Sequence, residues 1–157
     1  MNTPFLSSRC HAGFTLVEIS VAVTILGLLA AVAIPVFGKL TKKSVNTLIN
    51  NEFRVASTAV NHYHFENGSW PPDGAGGWPS ELTGYLPPPD RWNQPTPIGG
   101  KWAWALNSDS ATAALKINDY TVSSAQVLNL DQMIDDGALE TGDLIVADTS
   151  LVYVLQK

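Results

Sequence analysis

Glu18 is the first residue of this chain that demands a chemical explanation. It carries the one charge in the 24 residues from Phe14 to Phe37, where otherwise only Thr15, Ser20, Thr24, Gly27 and Pro35 interrupt an apolar run. A charged side chain at the centre of a membrane helix costs about 2.5–3.5 kcal/mol on insertion scales, and somewhat less near the interface. A charge so placed usually has a partner.

The other residues capable of chemistry point elsewhere. His62 and His64 lie in a helical stretch, where two residues of separation turn their side chains about 200° apart, so they do not readily share a metal. A solvated or loop-capping role is the expectation for them. Asp131, Asp135, Asp136, Glu140 and Asp143 gather near turns, and solvated acids are the favoured reading. Gly74-Ala75-Gly76-Gly77 lacks the lysine and the strand-to-helix setting of a phosphate-binding loop, and reads as a flexible turn. Trp70, Trp78, Trp92, Trp102 and Trp104 offer a carbohydrate or partner surface, yet large aromatics in a small domain are usually core. Packing against the helix is favoured, with Trp102 and Trp104 on one face of a strand. No nucleophile and base stand at a recognisable spacing, so no enzyme is expected.

The elements that position these residues follow from periodicity. A helix over 14–37 would be about 36 Å long and would span a bilayer. After Lys39, Lys42 and Lys43, the apolar residues Val45, Leu48, Ile49, Phe53, Ala56, Val60 and Tyr63 recur at spacings of three and four, which makes 38–67 an amphipathic continuation. The combined helix has some 54 residues and a length of roughly 80 Å, ending near Asn67 with Gly68 as a left-handed cap. Pro35, without an amide proton, is expected to kink or loosen it between Ala31 and Pro35. Between Ser69 and Gly100 the chain carries eight prolines and three of its five tryptophans, the composition of an ordered loop with little regular structure. Alternation predicts strands at 101–106 and 115–122, and a hairpin of 143–148 with 151–156. Ser123-Ser124-Ala125-Gln126 resembles a capping box that opens a short helix through Val127, Leu130, Met133 and Ile134, closed by Gly137.

Composition restricts the function classes. The 157 residues suit one modest domain. Beyond Lys43 five basic residues face thirteen acids, a charge of −8, which argues against nucleic acid as a main partner. Cys10 is the only cysteine, so no intramolecular disulfide forms. An ordinary secretory signal has a shorter apolar core followed by a cleavage site, whereas here the short polar leader comes first.

Gly13-Phe14-Thr15-Leu16-Val17-Glu18-Ile19, with the long apolar stretch and Pro35 inside it, resembles the processing site of the type IV pilins and type II secretion pseudopilins. Weaker likeness to major pseudopilins continues through Glu66-Asn67-Gly68-Ser69-Trp70-Pro71, Tyr85-Leu86-Pro87 and Asp90-Arg91-Trp92-Asn93-Gln94-Pro95. The run from Ile134 to Gly142 is similar to a bacterial variant in which the machine served is often undefined. The resemblance implies an α+β pilin fold, with the long N-terminal helix packed on a small antiparallel sheet of three or four strands. It implies that 1–13 is a leader, removed by a membrane-embedded aspartyl prepilin peptidase that cuts between Gly13 and Phe14 and methylates the new amine of Phe14. A glycine before the cut would let extended backbone enter the cleft without a side chain to accommodate. Residues 14–37 would span the membrane, 38–67 continue the helix, and 68–157 form the Pro- and Trp-rich loop and the sheet.

Further expectations come with the family. Glu18 and Pro35 would serve assembly, the Glu18 carboxylate pairing with the amine of Phe14 in its own or an adjacent subunit. The partners would be the peptidase and methyltransferase, other pilin or pseudopilin subunits in a homo-oligomeric filament, and an inner-membrane platform with its ATPase. The leader would lie in the cytoplasm and the C-terminal domain in the periplasm of a bacterium, although the three lysines beyond the span oppose that orientation by the positive-inside rule. No cofactor is expected; calcium in a C-terminal loop would draw on Asp135, Asp136 and Asp143, whose pattern does not map onto the family's ligands. The leading reading is a structural subunit, of a secretion pseudopilus or a type IV pilus. A minor pilin at a tip, acting in adhesion or DNA uptake, is the alternative.

Overall fold

A computed structural model of the chain describes residues 13–87, 91–108 and 111–157. Residues 1–12 of the expected leader, and Asp90 of the loop motif, lie outside the described residues. The fold is α+β, as expected. Contacts divide the chain into two units, Met1–Leu40 and Thr41–Lys157.

Helix α1 is 52 residues long, Leu16–Asn67, and contains Pro35. It ends where Gly68 takes φ +68 and donates its N–H to His64 O at 2.9 Å. Glycine adopts this conformation at no steric cost.

Within the second unit, the apolar stripe of α1 meets a four-stranded antiparallel sheet of order β1-β2-β4-β3. The strands are β1 (Lys101–Ser108), β2 (Ala111–Asn118), β3 (Leu144–Ala147) and β4 (Ser150–Gln156). Ile49, Phe53, Ala56 and Val60 are fully buried, in one core with Trp102, Trp104, Leu115, Ile117 and Leu151. Phe53 meets the edge of Trp102 at 5.0 Å and the ring of Tyr153 at 5.1 Å. Each of the buried isoleucine, valine, leucine and phenylalanine side chains contributes about 1.5–3 kcal/mol on full burial. Leu48, counted in the stripe from its spacing, stays exposed, while Asn46, Glu52 and Ala59 are buried.

The second expected strand moves. Alternation placed it at 115–122, but β2 begins at Ala111 and ends at Asn118. Its pairing runs from Lys101 with Asn118 to Ser108 with Ala111, so Ala111 to Ala114 are in the ladder despite alanine's low strand preference. Thr121 instead donates its N–H to Ile98 O and ties the following segment to the loop. The last hairpin turns on Asp148 and Thr149, with Asp148 at φ +51, since Ala147 pairs with Ser150.

Helix α2, Ser124–Ile134, starts after Ser123. The expected capping box does not form: Ser123 makes no side-chain cap bond. The Gln126 amide instead donates to Asn46 Oδ1 at 3.2 Å, and Asn46 Nδ2 donates to Gln126 O at 3.1 Å. Both residues are buried, and a buried amide needs this partner more than the helix end needs a cap.

The proline-rich segment is more regular than its composition suggests. Ser80–Gly84 forms a 3-10 turn. Gly77 accepts the Trp104 N–H at 2.9 Å and donates its own N–H to Gly74 O, so the glycine run is a fixed turn against β1 and not a flexible one. A β-carbon at Gly74 would stand 2.0 Å from Gly77 O.

Candidate functional site

The expected cleavage junction is built from four residues, Gly13, Phe14, Thr15 and Glu18. Gly13, Phe14 and Thr15 are not helical, and Phe14 is 79% exposed. Thr15 O accepts the first helical bond, from Ile19 N at 3.2 Å, which makes Thr15 the N-cap. Its Oγ1 accepts the Glu18 N–H at 3.2 Å. The Glu18 carboxylate returns to Thr15, accepting from its N–H and from its hydroxyl, each at 3.4 Å. Threonine at the cap and glutamate three residues on form a reciprocal capping box. Sequence reasoning looked to the amine of Phe14 for a partner to Glu18 and missed Thr15, although the Thr-x-x-Glu spacing was there to be read. A carboxylate is also favoured there by the partial positive charge of a helix N-terminus.

Beyond this cap, every large apolar side chain from Leu16 to Leu40 is exposed, between 49% and 86%. The two hydroxyls in the run are satisfied within the helix: Ser20 Oγ donates to Val17 O and Thr24 Oγ1 to Ser20 O, both at 2.8 Å. A helix of this length and composition is able to cross a membrane. Pro35 sits inside it, so the Ala31 carbonyl lacks the main-chain donor it would otherwise receive.

The remaining candidates serve the second unit. Asp135 accepts the main-chain N–H of Asp143, and Gly142, at φ +91, leaves the room its carboxylate occupies. Asp136 accepts from Ala138 N at 2.8 Å and from Thr141 Oγ1 at 3.4 Å. Asp135 and Asp136 thus close their own loop, and Asp143 joins it through its main chain. Among the described residues no three His, Cys, Asp or Glu are placed to hold a metal ion. Asp131 is fully buried, with neither carboxylate oxygen hydrogen-bonded. Burial first, then Asp136 and Asp135, push its carboxyl above the ordinary range, with the Gly137 backbone working the other way.

His62 and His64 diverge. His62 Nε2 lies 3.2 Å from Glu66 Oε1, whose other oxygen accepts the Tyr85 hydroxyl at 2.7 Å. His64 stacks on Trp70 at 4.0 Å. Trp92, Trp102 and Trp104 are almost fully buried, and Trp70 and Trp78 partly so. Trp104 donates to Pro71 O and Trp92 to Pro87 O, so these rings pin the loop that surrounds them. Arg91 pairs with the buried Glu52 and fastens the same loop to α1.

Residues 8–34 match the prokaryotic N-terminal methylation motif. The chain is 39% identical over 58 residues to the type IV major alpha-pilin of Moraxella bovis, covering 37% of this chain and 36% of that protein. It is 35% identical over 67 residues to fimbrial protein EcpC of Eikenella corrodens, covering 43% and 44% of the two chains. It is 31% identical over 91 residues to type II secretion system core protein G of Pseudomonas aeruginosa, covering 57% and 63%. The chain therefore spans about a third to under two thirds of the length of these relatives. No solved structure matches it.

Proposed function

We propose that this chain, whose N-terminal segment is of the type IV pilin and type II secretion pseudopilin kind, is a structural subunit of a filament, assembled through α1 after its leader is removed. The observation that carries the reading is an unburied apolar helix that begins at Leu16, two residues past Phe14, within a segment, 8–34, that matches the N-terminal methylation family. An apolar surface of this extent needs lipid, other subunits or both.

In this reading a prepilin peptidase cuts between Gly13 and Phe14, and the new amine of Phe14 is methylated. Residues 14–37 hold the subunit in the bacterial inner membrane, leader in the cytoplasm and C-terminal domain in the periplasm. An assembly platform and ATPase then draw it into a pseudopilus or pilus. Glu18 and Pro35 are assembly residues. The role is structural, and no catalysis is assigned to it. The 91-residue likeness to the core secretion protein favours the pseudopilus as the machine.

Intact-mass analysis of membrane-extracted protein tests the proposal. The expected chain begins at N-methyl-Phe14. A chain that retains Met1, in cells with a working prepilin peptidase, sinks it.

A further inference from the structure

Asn67 closes α1 and is followed by Gly68, and both residues are exposed. No other asparagine of the chain precedes a glycine. Such a pair is open to a reaction of its own, in which the main-chain nitrogen of the second residue attacks the side-chain amide carbon of the first. Glycine permits the approach because it has no β-carbon beside the attacking nitrogen. In the folded chain both reacting groups are committed. The Gly68 N–H donates to His64 O at 2.9 Å and closes the last turn. The Asn67 amide donates to Tyr63 O at 2.9 Å and to the Tyr85 hydroxyl at 3.4 Å. That hydroxyl donates in turn to Glu66 at 2.7 Å, which holds Tyr85 against the end of α1.

We propose that Asn67 is a site of spontaneous deamidation, latched by the last turn of α1 and by Tyr85, and opened when that turn frays. In the reaction the Gly68 nitrogen gives its proton to water and bonds to Asn67 Cγ. The C–N bond of the side-chain amide breaks, and its nitrogen leaves as ammonia with a proton from water. Water then opens the five-membered imide at either carbonyl. The product is aspartate at position 67, or its isomer with the main chain routed through the side chain, and nothing is oxidised or reduced. A helix end in water opens without the core, since water takes the carbonyls that the turn releases. The product does not restore the latch. A carboxylate cannot donate to Tyr63 O, it competes with Glu66 for the one proton of the Tyr85 hydroxyl, and it lies at the negative end of α1. Tyr85, and the loop that carries it, thereby lose a tie to the helix.

The full chain in detergent is held in mildly alkaline buffer, native or in guanidinium, and samples are digested at acid pH, where the reaction stops. Mass spectrometry then counts amide turned to acid at each asparagine. In guanidinium Asn67 is expected to convert before every other asparagine. In the native chain it is expected to convert roughly 25-fold more slowly, from about fivefold for each of the two bonds, to His64 O and Tyr63 O, that must open. Tyr85→Phe, with the parent's tryptophan spectrum, is expected to convert about two- to fivefold faster than the native parent. Asn67→Gln, whose ring would have six members and forms far more slowly, should lose the signal at this position. The proposal falls if another asparagine converts first in guanidinium, or if the native rate equals the denatured one. It falls equally if native Asn67 stays intact for roughly a hundredfold longer than the denatured chain needs, which is more than these bonds hold back. A parental rate in Tyr85→Phe overturns the latch. Should that variant lose its native spectrum, Glu66→Gln, which weakens the hold on Tyr85 from outside the core, takes its place with the same expected and overturning results. The outcome at residue 67 is independent of the filament reading, which the mass of the N-terminus decides.

Discussion

The two parts of α1 carry the same kind of side chain and treat it in opposite ways. From Leu16 to Leu40 no large apolar residue is buried, while Ile49, Phe53, Ala56 and Val60 are completely so. The difference lies in the polar residues between them. Up to Phe37 apolar groups occupy every face of the helix, which no single sheet can cover. From Val45 they form one stripe, with Asn51, Arg54, Thr58 and Asn61 exposed between, and one sheet suffices. In the proposed reading lipid and other subunits cover the first part, while the second is covered by its own chain.

Glu18→Ala tests the first half of that contrast most severely. It removes both the desolvation cost of a carboxylate and the group that would register one subunit against another. Normal levels of membrane-inserted monomer with few filaments are expected. The comparison is between inserted subunit and sheared or cross-linked filament fractions, and filaments at parental yield would show that Glu18 does not direct assembly.

Phe53→Ala tests the second half. A fragment Thr41–Lys157 is expected to unfold cooperatively as a monomer, and Phe53→Ala to lower its stability by about 3–5 kcal/mol in urea, as for other buried phenyl groups. The equivalent truncation Val23→Ala in the full chain should leave unfolding of this unit unchanged. An equal loss from both would erase the distinction between the two parts.

The smallest effect expected is a pH dependence. The carboxyl of Asp131 is raised from its ordinary value of 3.8, so the fold favours its protonated form. A raised carboxyl contributes stability that is full below the unfolded value and is lost as pH rises through the higher folded one. Asp131→Asn should flatten this fall, leaving the variant's stability less dependent on pH across the range just above 3.8 in urea titrations of the same fragment. A parallel decline in parent and variant would mean that the loss belongs to other acids.

How far the sequence revealed these features depended on how local their causes are. The stripe on α1 was legible because seven apolar positions repeat at one period. Gly68 was legible because a left-handed residue after a helix is nearly a glycine's own position. The start of β2 was not, since Ala111-Thr112-Ala113-Ala114 has no alternation, and only its pairing with Leu106, Ala105 and β4 makes it a strand. Asp131 reads as one more surface acid among its neighbours, and its burial depends on how α2 is seated. Thr15 was overlooked because a helix start is sought at the edge of an apolar run, and here the run begins a residue earlier. Ser123 misled for the converse reason: its spacing to Gln126 is right, but Asn46, which claims the glutamine, lies 80 residues away.

That separation also orders events in time. Asn46 and the stripe that follows it leave the ribosome well before Gln126, and before the strands that cover Ile49 and Phe53. At about 5–20 residues per second, the stripe waits some 4–16 seconds for α2 alone. Contacts so distant along the chain form slowly, whereas the β1–β2 hairpin can close early on its own residues. During its synthesis, then, the chain carries two uncovered apolar surfaces in succession, one that is to remain uncovered by its own domain and one that must be shielded until the C-terminal strands arrive.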